Sequence, residues 1–93
     1  MRIIGNIEHP VLKISVFKAD NRISVKFENA LYEQTFKLGE DERFANLPAV
    51  QQLVDTAMIE DVLAGFRQMH ATRMSVMTRK FPVSETEVFE VII

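Results

Sequence analysis

The chain has 93 residues, 47% of them hydrophobic and 26% charged, with a net charge of −2 and no cysteine. That length is enough for one modest core in a single domain, residues 1–93, and the balance excludes a disordered or low-complexity chain. The lack of cysteine excludes a disulfide scaffold, Cys-ligated zinc and thiol catalysis, and no run approaches the roughly 18 apolar residues of a membrane span.

The first residues, Met1-Arg2-Ile3-Ile4-Gly5-Asn6, turn polar too soon for a secretory leader, so a cytoplasmic location with no membrane contact is expected. Residues 2–8 read as a strand that ends at His9-Pro10, because proline cannot donate to a ladder. In residues 11–17, Leu12, Ile14 and Val16 share one side and Lys13, Ser15 and Phe17 the other. In residues 22–28, Ile23, Val25 and Phe27 alternate with Ser24, Lys26 and Glu28. Period-two alternation is the mark of a half-buried strand. Ala19-Asp20-Asn21 between them supplies a tight turn, so the two strands form a hairpin. Residues 31–38 place Tyr32, Gln34, Phe36 and Leu38 on one side, after a turn at Glu28-Asn29-Ala30. The spacing predicts a four-stranded meander over residues 2–38.

Gly39 opens a polar stretch in which Phe44 is the expected anchor to the core. Asn46-Leu47-Pro48 signals a helix start, with asparagine as cap and proline in the first turn. A short helix over 47–54 would turn Leu47, Val50, Leu53 and Val54 inward; Asp55-Thr56 can cap a second helix or lie within a continuous one, and two helices with a small kink there are the preferred reading. In that long helix, over 56–79, Met58, Ile59, Val62, Leu63, Phe66, Met69, Met74 and Met77 recur at steps of three and four, apart from one gap of five. His70 or Arg73 would fill the gap, Gly65 lies inside, and Pro82 closes the helical region. Residues 87–93 read as a last strand, apolar on both sides through Phe89, Val91 and Ile93 and through Val88 and Ile92. The expected fold is α+β and two-layer. It has a four- to five-stranded, mostly antiparallel sheet, the meander 2–38 plus the C-terminal strand 87–93, with one short and one long helix on one face.

Little catalytic chemistry is legible. His9 and His70 are the only histidines, and neither belongs to a helical H-x-x-x-H or H-E-x-x-H pair. Gly5, Gly39 and Gly65 lie too far apart to build a phosphate-cradling loop, and no serine stands in a G-x-S-x-G turn. Glu60 and Asp61 are adjacent, so on a helix they point about 100° apart, which is poor geometry for a shared acid and base. No catalytic residue, cofactor site or metal site is expected.

Charge is uneven. Residues 40–61 carry Glu40, Asp41, Glu42, Asp55, Glu60 and Asp61 against Arg43, whereas residues 62–80 hold Arg67, Arg73, Arg79 and Lys80 and no acid. Acids near helix starts and bases near a helix end match the macrodipole. The same bases, with His70 between them, offer a phosphate-contacting segment, and a nucleic-acid-binding accessory protein using 67–80 is the alternative function. Against it, Tyr32 is the only tyrosine and there is no tryptophan, which leaves Phe17 as the best outward aromatic for base stacking.

A length argument points to self-association. A helix of about 24 residues runs roughly 36 Å, and strands of seven or eight residues span roughly 23–27 Å. The helix should overhang the sheet, carrying Met74, Val76, Met77 and Phe81 beyond a monomer core. A second copy would bury them. The expected self-association residues are Met74, Met77, Phe81, Phe89, Val91 and Ile93. Val91-Ile92-Ile93 is also a candidate strand for pairing with another protein. The functional expectation is a homodimeric interaction module.

Overall fold

The computed structural model describes residues 1–82. Four strands, β1 (Arg2–Ile7), β2 (Lys13–Ala19), β3 (Arg22–Glu28) and β4 (Glu33–Gly39), pair in chain order as an antiparallel meander. Two helices follow, α1 (Leu47–Leu53) and α2 (Thr56–Lys80), so the described chain is α+β. The expected strand over 87–93 lies outside the described residues.

The turns explain where the strands begin. His9 Nδ1 accepts from the backbone N–H groups of Val11 and Leu12, each at 3.2 Å. Asn29 Oδ1 accepts from Leu31 at 2.9 Å and Tyr32 at 2.8 Å, and the Asn29 N–H donates to the Tyr32 carbonyl at 3.0 Å. In both connections one side chain satisfies the N–H groups two and three residues on, as an Asx turn does. These bonds hold Val11, Leu12, Leu31 and Tyr32 in the turns. β2 and β4 therefore start later than alternation alone predicts. Between β2 and β3 only Asp20 and Asn21 intervene, since Ala19 pairs with Arg22. Asp20 sits at φ +57, a region that aspartate tolerates better than most residues.

Register assigns the sides. Ile14 lies opposite Phe27 and Val16 opposite Val25, and on β4 Phe36 and Gln34 face Val25 and Phe27. Ile14, Val16, Val25 and Phe27, with Leu12 and Ile23, form one buried cluster with Val50 and Val54 of the α1 region and Val62 and Phe66 of α2, and Phe36 packs against it. Phe27 and Phe36 meet edge to face, with centroids 5.7 Å apart. The opposite parity carries Lys13, Ser15, Phe17, Ser24 and Lys26. Ser15 is nonetheless only 2% exposed. By register it lies between Asn6 and Lys26, and a side chain so short is covered by longer neighbours. Lys26 stands 5.6 Å from the Phe17 ring centre and 3.4 Å from Glu28, which keeps this side of the central strands crowded.

β1 pairs with β2 through an irregularity between Ile3 and Gly5. A Cβ at Gly5 would run into the end of the Leu47 side chain, which packs over the bare backbone there.

Beyond β4, Asp41 caps a 3-10 turn over Glu42–Phe44. Its Oδ1 accepts from Arg43 N at 2.8 Å and Nε at 2.9 Å, and its Oδ2 from Nη2 at 2.7 Å. Hydrogen bonds from the Arg43 side chain, then from its backbone, lower the Asp41 carboxyl to about 2. Phe44 packs on the core as expected. Asn46 caps α1 by accepting from Ala49 N at 2.9 Å, with Pro48 in the first turn. Leu53 departs from expectation and is 43% exposed. The helix stops there, Val54 adopts ψ 78, and the turned chain gives the inward place to Val54.

Candidate functional site

The long helix is built to run past its support. Asp55 Oδ1 accepts from Met58 N at 2.8 Å and starts it. Arg79 and Lys80 lie in its last turn, where positive charge suits the carbonyl end. The Phe81 N–H still bonds the Met77 carbonyl at 2.8 Å, and Pro82 follows. The 25 residues of α2 extend about 37 Å, whereas strands of six or seven residues span about 20–23 Å.

Contact with the sheet is concentrated in the first half. Met58, Ile59, Val62, Leu63, Phe66 and Met69 belong to or pack against the core, as their spacing predicts. Gln34 Nε2 donates to the Val62 carbonyl at 2.8 Å. Tyr32 stacks on Phe66 with centroids 6.5 Å apart and meets the His70 ring edge-on at 5.9 Å. The Tyr32 hydroxyl and His70 Nδ1 share a hydrogen bond of 2.8 Å. Position 70 therefore fills the gap in the apolar periodicity, held by Tyr32.

Beyond His70 the helix continues for about 15 Å without joining the core cluster. Met74 is half-buried but not part of that cluster. Val76 is 37% exposed, Met77 42% and Phe81 65%. Phe89, Val91 and Ile93, the other self-association candidates, lie outside the described residues, as does the pairing strand Val91-Ile92-Ile93.

The basic residues do not form one stripe. Each step of three residues turns about 60° back around a helix, so Arg67 and Arg73 point about 120° apart. His70 between them turns toward Tyr32, while Arg67, Arg73 and Lys80 are exposed. Arg79 Nη1 donates to Ser75 Oγ at 2.8 Å. His9 serves its turn. Among the described residues no group of three His, Asp or Glu side chains is placed to hold a metal ion, and no helix is long and apolar enough to cross a membrane.

One feature escapes sequence reading. A shallow cleft of about 360 Å³ lies between the turn at residues 29–32 and α2, lined chiefly by Leu31, Tyr32, Leu63, Phe66, Arg67 and His70. Leu31 is 60% exposed at its mouth. The only signal in the sequence is a leucine within the turn, where a polar residue is the commoner choice.

Compared with protein-family models, with curated proteins and with solved structures, the chain matches none.

Proposed function

We propose that this protein is a small cytoplasmic interaction module that self-associates as a homodimer and has no catalytic role. Residues 1–93 act as one two-layer domain, with both helices on the side of the sheet that carries Ile14, Val16, Val25 and Phe27. The observation that supports this reading is the exposure of Val76 and Met77 near the end of α2 and of Phe81 just after it, none of them part of the core. Apolar surface removed from water contributes about 25 cal/mol per Å², so a second copy laid on this stretch gains what the monomer forgoes.

Sedimentation equilibrium tests it. A dimer mass is expected at tens of micromolar, and Met77→Glu should shift the population to monomer without lowering secondary structure. A wild-type monomer at that concentration sinks the reading.

The second reading is nucleic-acid binding through residues 67–80, favoured by Arg67, Arg73, Arg79 and Lys80 with no acid among residues 62–80. It is the weaker of the two, because His70 is already bonded to Tyr32 and the arginines diverge around the helix. No retention of single- or double-stranded DNA or RNA at about 50 mM salt removes it.

A further inference from the structure

The two parities of the meander carry different chemistry. Ile14, Val16, Ile23, Val25 and Phe27 give one parity to the core cluster. The other parity holds a row that crosses all four strands. Ile3 pairs with Phe17, Phe17 with Ser24, and Ser24 with Lys37, and cross-strand partners point to the same side of a sheet. Ile3 is 52% exposed, Phe17 is half-buried and Lys37 is exposed.

Cations surround this row. Lys37 lies in it, and Arg22 and Lys26 stand two residues to either side of Ser24, each about 7 Å along β3. The Lys26 ammonium is 5.6 Å from the Phe17 ring centre and 3.4 Å from Glu28. Among the described residues, the acids on this side are Glu28 and Glu33, which pair with each other about 13 Å from the row, where Lys13 also faces Glu28. Past the other strand ends, Asp20 and Glu40 are matched in number by Arg2 and Lys18, themselves a cross-strand pair. A shallow recess of about 230 Å³ opens beside the row, lined chiefly by Met1, Arg22, Ile23, Ser24 and Lys37.

An aromatic face set among cations on an antiparallel sheet suits an unpaired base and its flanking phosphates. In a duplex the bases cover one another and offer the ring no face. An acidic polypeptide satisfies the cations but makes no use of the ring. We propose that this side of the sheet binds single-stranded nucleic acid, one base stacking on Phe17 and the neighbouring phosphates meeting Arg22, Lys26 and Lys37. The surface is distinct from the exposed end of α2 and from residues 67–80, and its occupancy depends on neither.

A short fluorescently labelled oligothymidylate, titrated with the full chain and followed by anisotropy, tests it. Phe17→Leu should weaken binding about tenfold with circular dichroism unchanged, whereas Phe17→Tyr keeps most of the affinity. Lys26→Gln combined with Lys37→Gln should flatten the slope of log K against log salt by about 1.4, or about 0.7 for each lost phosphate contact. The chain has no tryptophan, so Phe17→Trp supplies a single reporter that the unlabelled oligonucleotide should quench on stacking. Arg73→Gln, on α2, should bind as wild type. Undiminished affinity in Phe17→Leu, no quenching in Phe17→Trp, or equal affinity for a duplex overturns the proposal. A loss confined to Arg73→Gln overturns it by placing the strand on residues 67–80. Displacement by polyglutamate as effective as by oligothymidylate overturns it in favour of an acidic polypeptide, and no binding at about 50 mM salt ends it outright.

Discussion

Gln34 reaches from β4 to the Val62 carbonyl through the space left by Gly65. The amide donates at 2.8 Å, and a Cβ built on Gly65 would stand 2.7 Å from the donating Nε2. The helix carries a glycine at that point because the sheet needs room for an amide that would otherwise be half-buried without a partner. Gly65→Ala gains up to about 1 kcal/mol of helix propensity but displaces this bond, at a cost of about 1–3 kcal/mol. Net destabilisation of roughly 1 kcal/mol is expected in urea unfolding. In a Gln34→Ala background the same change should become stabilising. An unchanged sign would show that the amide is not what the glycine accommodates.

The turns at His9 and Asn29 give a matched pair of variants. Each side chain accepts two backbone N–H groups. Asn29→Ala and His9→Ala should each cost about 1 kcal/mol, and His9→Asn should retain most of the stability because asparagine presents an oxygen to the same N–H groups. Equal losses for His9→Ala and His9→Asn would argue that ring packing matters more than the acceptor.

Asp41 predicts a pH dependence. Its carboxyl is lowered from 3.8 to about 2 by Arg43, and a depressed acid stabilises the fold above its unfolded value and loses that contribution as pH falls through the folded one. The Asp41–Arg43 contribution should thus be complete above about pH 4–5 and fade toward pH 2. The carboxyl carbon followed by NMR reports it directly. Arg43→Ala should return the midpoint toward 3.8, and an unmoved midpoint would assign the shift to another cause.

Amide exchange should divide α2. Residues 58–69 pack on the core, whereas residues 71–80 belong to no cluster. At high dilution the second group should exchange much faster than the first, through local opening. Raising the concentration through the dimer range should protect residues 71–80 selectively. Uniform protection of the whole helix at every concentration would mean that its projecting end is stabilised within one chain.

Reading outward from residues, alternation located β3 at its observed ends and chose the inward sides of Leu12, Ile14, Val16, Val25 and Phe27. The Asn46 cap and the break before Asp55 were equally legible, because capping depends on neighbours two or three positions away. The starts of β2 and β4 were less so, since His9 and Asn29 capture the N–H groups of residues that alternate like strand. Leu53 was misassigned because a helical wheel does not know where its helix stops.

The candidate contact surface divides in the same way. Local order determined the length of α2, its steps of three and four, and the shift from acid to base along it. All of these follow from spacing within one element. Only the tertiary structure decided that Tyr32 bonds His70, that the core ends there, and that Leu31 opens a cleft beside Leu63. Those contacts join residues more than thirty positions apart, and nothing in local periodicity encodes how far a helix slides along the sheet that carries it.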